Sequence, residues 1–210
     1  MSEQGEKVIL PDPSLKGGFS LEQLLVRRRS IREYPDKALT LTEVGQLLWS
    51  AQGITHSQGF RSAPSAGALY PLELYIVAGQ VDGLPSGVYH YQAQQHQLLK
   101  ISDADIRKNL AEAALSQPWI NNAAAVIVFT ADYGRTTRKY GKRGKRYVHI
   151  EVGHAAQNLF LQSEALELAT VVVGAFNDKE VISVLDVPDD LQALLLMPVG
   201  RKKSKRALTP

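Results

Sequence analysis

Residues 147–168, YVHIEVGHAAQNLFLQSEALEL, form the longest stretch of the chain that keeps helical spacing. Residues 123–130, all apolar but for Thr130, precede this helix and read as a strand buried on both sides. Residues 170–173 read as a further strand immediately after it. A helix that long, set between two buried strands, is expected to be the central helix of the fold.

Working towards the amino end, the intervening residues 133–147 carry two tyrosine-flanked runs of Arg and Lys broken by glycines, and read as a basic loop. Ser102 and Asp105 signal a helix that stops near Pro118. Residues 87–91 and 97–101 look like a hairpin, and residues 72–78 like another strand. Thr40-Leu41-Thr42-Glu43 is a capping box, opening a helix with Val44, Leu47, Leu48 and Ala51 on one face and Gly53 at its end. Ser20 caps a first helix that runs into Arg27, Arg28 and Arg29, where cations suit the helix dipole. Towards the carboxyl end come a short helix at 178–185 and a last strand at 194–199. Helices and strands mix without βαβ alternation, which predicts an α+β layered sheet rather than a doubly wound one. The expected division is an extended arm at 1–18, a single domain at 19–200 and a basic tail at 201–210.

The 210 residues suffice for one substantial core, and 44% hydrophobic with 21% charged residues is ordinary for a globular protein. With no cysteine, disulfides, thiolate catalysis and Cys-ligated metals are excluded. Neither a secretory signal nor a membrane-length apolar run is present, so a soluble cytoplasmic protein is expected. There is no G-x-G-x-x-G after a strand and no G-x-x-x-x-G-K-[ST], which removes the dinucleotide fold and the P-loop. No carboxylate stands at metal-ligand spacing from the helix histidines, so no metal is expected.

Three segments could carry chemistry. Arg28, Arg29, Ser30 and Arg32 lie where a helix gives way to extended chain; guanidinium forks suit phosphate, and alternate residues of extended chain face the same way. The competing reading is simple compensation of the helix dipole. Ala63-Pro64-Ser65-Ala66-Gly67-Ala68-Leu69-Tyr70-Pro71 places small residues between prolines, a rigid turn that a planar ligand could approach closely, or a structural turn into the next strand. Val173-Gly174-Ala175-Phe176 joins a strand to a helix start and exposes backbone N–H groups. On the long helix, His149, Gly153 and Gln157 share a face, as do His154 and Asn158; these could line a site or satisfy one another in a helix–helix contact.

Taken in order, Arg-Arg-Ser-x-Arg, the Pro-Ser-Ala-Gly turn, Gln157-Asn158-Leu159, Val-Gly-Ala-Phe and Met197-Pro198-Val199-Gly200 resemble the FMN-dependent nitroreductase family. Residues 63–71, 87–91 and 153–158 look like its SagB-type dehydrogenase branch, and the similarity spans about residues 20–200. The resemblance implies a mixed, mainly antiparallel sheet flanked by helices, a homodimer with the long central helix at its interface, and non-covalent FMN between subunits. It carries the FMN phosphate, ribityl chain and pyrimidine side to Arg28, Arg29, Ser30 and Arg32, and assigns Arg201 to complete the phosphate site. Pro64, Ser65, Ala66, Gly67 and Leu69 would pack on the ring from the partner subunit, while Gly174 and Ala175 would offer N–H groups towards N5. Ala68 stands where many members have Asn, so one flavin-facing amide is missing. With about ten residues following Gly200, a long swapped C-terminal arm is not expected and the dimer would rest more on the central helix.

The implied activity is passage of hydride and electrons from NADH or NADPH to a small quinone or nitroaromatic acceptor. Lys139 and Tyr140 resemble the Lys-Tyr pair with which azoline-oxidising relatives abstract a proton, which keeps open an azoline dehydrogenase acting on a modified peptide with oxygen as acceptor. A flavin-binding or basic interaction protein without turnover is the non-enzymatic alternative. The basic loop itself has three readings: a solvated loop, a rim attracting anionic nicotinamide or substrate, or an RNA-binding surface.

Overall fold

A computed structural model describes residues 5–203. In chain order it contains β1 (Lys7–Ile9), α1 (Leu21–Arg27), β2 (Leu39–Thr40), α2 (Leu41–Gln52), β3 (Leu72–Ala78), β4 (Val81–Asp82), β5 (Gly87–Gln92), β6 (Gln97–Ser102) and α3 (Arg107–Ala113). There follow α4 (Pro118–Asn121), β7 (Ala125–Ala131), α5 (Tyr133–Tyr140), α6 (Gly144–Ala165), β8 (Leu168–Thr170), α7 (Asp178–Leu185) and β9 (Gln192–Arg201). Short 3-10 turns occupy Ala66–Ala68 and Gly141–Arg143.

The main sheet runs β1-β6-β5-β3-β7-β9-β8 with every pairing antiparallel, while β2 and β4 form a separate parallel pair. β7 sits between β3 and β9 and all seven of its residues are buried, which explains its unbroken apolar sequence. Its alternate side chains feed two cores. Ile127 and Phe129 join Leu74 and Ile76 under α2 and α6; Val126 and Val128 join Leu110, Ile120 and Val181 under α3, α4 and α7. The α+β, mainly antiparallel expectation is met.

The capping boxes form as their residues dictate. Gln23 N donates to Ser20 Oγ at 3.3 Å and Ser20 N to Gln23 Oε1 at 2.9 Å; Glu43 N donates to Thr40 Oγ1 at 3.2 Å and Thr40 N to Glu43 Oε2 at 2.8 Å. Gly53 ends α2 for a different reason than a left-handed cap. Its φ is −66°, but a Cβ there would fall 2.1 Å from Cδ1 of Trp49, whose ring lies across it.

Four boundaries differ from expectation. Residues 133–143 are helical rather than a loop: Asp132 accepts from Gly134 N at 2.7 Å to cap α5, and buried Gly144 lets α6 start against it, since a Cβ there would lie 2.9 Å from Thr137 backbone. The central helix therefore begins at Gly144, and Leu168 belongs to β8. The helix expected to run to Pro118 ends at Ala113, because Leu115 and Ser116 take φ of 57° and 55° and Pro118 starts the separate α4. Beyond Thr170 the chain keeps only a bridge from Val173 to Leu196. The amino-terminal arm contributes β1 as the edge strand beside β6, and the tail beyond residue 203 lies outside the described residues. No described helix is long and apolar enough to cross a membrane.

Candidate functional site

The arginine segment is extended, as expected, and is fastened at both ends. Arg28 N closes α1 on Leu24 O at 2.9 Å, and Ile31 N donates to Thr170 O of β8 at 2.9 Å. Tyr34 pins the exit: its hydroxyl donates to Ile31 O at 2.9 Å, and its side chain lies where a Cβ on Gly200 would be, 2.7 Å away. Gly200 is thus a packing requirement of this anchor. The result is a cleft of about 1020 Å³ between the arginine segment and the carboxyl end of α6, with Arg29, Ser30, Arg32 and Lys202 on its walls.

Charge in this cleft is unevenly matched. Glu164, buried on α6, accepts from Arg27 Nε at 3.0 Å and pairs with Lys202 Nζ at 2.6 Å. Arg28, Arg29 and Arg32 make no ion pair with a carboxylate among the described residues. Arg29 donates only to the carbonyls of Val26 and Arg28, and Arg32 lies 5.4 Å from the Trp119 ring centroid. Guanidinium groups held by backbone and rings, without counter-ions, are a donor set suited to a phosphate. Arg28 differs from its neighbours: it is half-buried, over the Phe160 ring at 5.0 Å. Arg201 is not on the cleft wall, because its guanidinium is committed to both carboxylate oxygens of Glu43, at 2.5 Å and 2.9 Å, and to Ala38 O at 3.0 Å. Lys202 occupies the wall instead.

The small-residue turn carries left-handed backbone at three positions. Gly67 has φ of 65°, Ala68 53° and Tyr70 45°. Ser65 O accepts from Ala68 N at 3.0 Å and Ser65 Oγ from Tyr70 N at 2.9 Å, which holds the turn closed. Pro64 and Ala66 to Leu69 carry no buried side chain. Lys139 and Tyr140, at the end of α5, reach this same turn: a Cβ on Gly67 would stand 2.7 Å from Tyr140 Oη and 3.1 Å from Lys139 Nζ.

Beneath the turn is a residue that sequence reasoning missed. Glu151 of α6 is 2% exposed, with Oε1 lacking a partner, and faces Ser65, Arg61 and Gln52. Burial pushes its carboxyl up to about 7, opposed by the Ser65 hydroxyl, the Arg61 charge and the Gln52 amide. Its signal was present, since a Glu three residues after Val148 and four before Ala155 must share their buried face.

Within one chain the turn and the arginine cleft do not meet. The turn sits by Glu151 and the cleft by Glu164, thirteen residues along α6, a rise of about 20 Å. Between them the helix exposes Gly153, His154 and Gln157, with open space around Gly153, and Ile150, just before Glu151, is 48% exposed. Gly174 and Ala175 are exposed between the Val173 bridge and α7, and Ala175 O accepts from Gln117 Nε2 at 2.8 Å. Gly174 borders a second pocket of about 370 Å³ with Tyr133 and His149.

The sequence model of the Nitroreductase family matches residues 25–201. A Methanocaldococcus jannaschii protein that carries the name nitroreductase is 49% identical over 184 residues, covering 88% of this chain and 92% of its own. The trifolitoxin operon protein TfxC of Rhizobium leguminosarum bv. trifolii is 26% identical over 206 residues, 90% of this chain and 58% of its own. The FMN reductase [NAD(P)H] of Bacillus subtilis is 24% identical over 200 residues, 89% and 67% of the two chains. Among solved structures, one from Ralstonia eutropha JMP134, also named for a nitroreductase, superposes with a TM-score of 0.84 at 27% identity, over 97% of this chain and 93% of the other. This chain belongs to the nitroreductase family of oxidoreductases.

Proposed function

We propose that the protein is an FMN-dependent oxidoreductase that takes hydride from NAD(P)H and passes electrons to a small quinone or nitroaromatic acceptor by alternating binding. The observation that carries this reading is the roomy cleft whose Arg29, Ser30, Arg32 and Lys202 offer cationic and hydroxyl donors, with neither arginine matched to a carboxylate. Those residues would hold the phosphate and ribityl chain, and the backbone at Gly174 and Ala175 would face N5 of the ring. FMN, when bound, supplies the hydride chemistry; the chain positions the ring and both reactants.

The separation of turn and cleft along α6 favours a homodimer. Glu151 and Glu164 are centred on Gln157 and Asn158, so a twofold axis there, with two antiparallel copies of α6, brings one subunit's Pro64, Ser65, Ala66, Gly67 and Leu69 over the other's cleft. The exposed Gly153 face permits the close approach. The relatives named FMN reductase support the cofactor and the nicotinamide donor.

The placement of Lys139 and Tyr140 on the Gly67 turn favours a second reading, oxidation of an azoline in a modified peptide with oxygen as acceptor, and the trifolitoxin relatives accord with it. Purified protein reconstituted with FMN separates the readings. Steady NAD(P)H oxidation with a quinone is expected; FMN retention without nicotinamide turnover would leave the azoline reading or a flavin-binding protein, and failure to retain FMN would end all three.

A further inference from the structure

The pocket beside Gly174 contains an acid–base pair that lies outside the arginine cleft. Tyr133 is the first residue of α5 and His149 lies one turn into α6; the helices meet so that Tyr133 Oη and His149 Nε2 are 2.5 Å apart, with the rings edge to face at 5.7 Å. Both line the pocket of about 370 Å³, together with Val152, Gly174, Phe176 and Asp178. Val152 and Phe176 supply apolar walls for a planar ring, and the tyrosine hydroxyl is the polar group beside them. His149 is exposed, so its imidazole exchanges protons with water. Lys145 Nζ lies 5.9 Å from the Tyr133 ring centroid. Partial burial and the Asp178 charge hold the phenol above its ordinary value, so it carries its proton at neutral pH.

We propose that Tyr133 and His149 form a proton-delivery couple for a quinone-class acceptor seated in this pocket. The proposal rests on the FMN oxidoreductase reading and adds the source of the proton. Reduction of a quinone by NAD(P)H takes one hydride and one proton. When the quinone takes the hydride equivalent from the reduced cofactor, one of its oxygens is left anionic. The Tyr133 O–H bond breaks and an O–H bond forms on that oxygen. The tyrosinate takes the proton from Nε2 of protonated His149, and His149 recovers one from solvent. The sum is NAD(P)H, H⁺ and quinone giving NAD(P)⁺ and hydroquinone.

The test compares acceptors. Ferricyanide takes electrons and needs no proton, whereas p-benzoquinone needs one. In FMN-reconstituted Tyr133→Phe protein the ratio of quinone to ferricyanide rates should fall by about 100-fold, the scale of general-acid catalysis. His149→Gln should lower the same ratio and regain part of it with added imidazole. In flavin-free protein, the ¹⁵N resonance of His149 Nε2 should move on Tyr133→Phe, a readout independent of turnover. An unmoved resonance, or a ratio unchanged in both variants, overturns the couple while the oxidoreductase reading stands. Wild-type protein that retains FMN but reduces neither acceptor overturns the function and the couple together.

Discussion

The hydroxyl of Tyr140 occupies the space that a side chain at Gly67 would need. A Cβ on Gly67 would lie 2.7 Å from Tyr140 Oη, and the residue already has φ of 65°, so both the backbone and its neighbour demand glycine. Gly67→Ala should therefore destabilise by about 1–2 kcal/mol from the left-handed backbone alone. For a chain of this length that lowers Tm by about 2–8 °C. Displacement of Tyr140 adds to the cost. Calorimetry on wild type and variant checks it, and an unchanged Tm would mean that the turn relaxes freely.

That contact also marks where the sequence stopped being legible. The turn and the Lys139-Tyr140 pair are each visible as strings, but their meeting depends on residues 133–143 being helical. Seven cations and three glycines between 134 and 146 mask the periodicity there, because the helix has little apolar face: among Tyr133–Tyr140 only Thr136 is buried. Strands β3, β5 and β6 were legible nearly to the residue, since their composition and turn signals coincide with sheet pairing. β1 was not, because an edge strand of three residues, mostly exposed, has no pattern to show. Among the candidate residues, the arginine segment was legible from charge and chain direction. The partner of Arg201 was not, since a pair spanning 158 positions leaves no local trace.

The Arg201 contact separates two roles that adjacent cations might share. If Lys202 and Arg32 hold the FMN phosphate, Lys202→Ala and Arg32→Ala should each weaken FMN binding by about 10- to 100-fold, the equivalent of a charged hydrogen bond worth about 1.5–3 kcal/mol. Arg201→Ala should leave that affinity nearly intact while lowering stability. Fluorescence quenching of FMN during titration measures the first effect and urea unfolding the second. Loss of affinity in Arg201→Ala alone would reverse the assignment.

Glu43 has two duties, closing the capping box at Thr40 and receiving Arg201 from the end of β9. Glu43→Ala removes the acceptor for Thr40 N and leaves a half-buried guanidinium without its carboxylate. The cap is worth about 1 kcal/mol and a charged hydrogen bond about 1.5–3 kcal/mol, so a loss of about 2–4 kcal/mol is expected. Glu43→Gln, which can still cap, should lose less. Equal losses in the two variants would show that the ion pair contributes everything.

Glu151 makes stability depend on pH in a direction opposite to most carboxylates. Burial raises its folded value to about 7 from the ordinary 4.5, so between those values the folded protein holds a proton that the unfolded chain has released. The folded state then binds more protons than the unfolded, and stability must fall as pH rises through this window. Its contribution is fully present below about pH 4.5 and lost above about pH 7, up to about 3 kcal/mol across the range. Arg61 works against the loss by favouring the carboxylate, and so do the Ser65 hydroxyl and the Gln52 amide. Glu151→Gln keeps the shape and cannot ionise, so its unfolding free energy should lack this fall, and the wild-type and variant curves should diverge between pH 5 and 7. Because Ser65 belongs to the turn proposed to cover the ring, the same variant should also flatten any pH dependence of FMN affinity over that range. Parallel stability curves for the two proteins would place the ionisation of Glu151 outside the window.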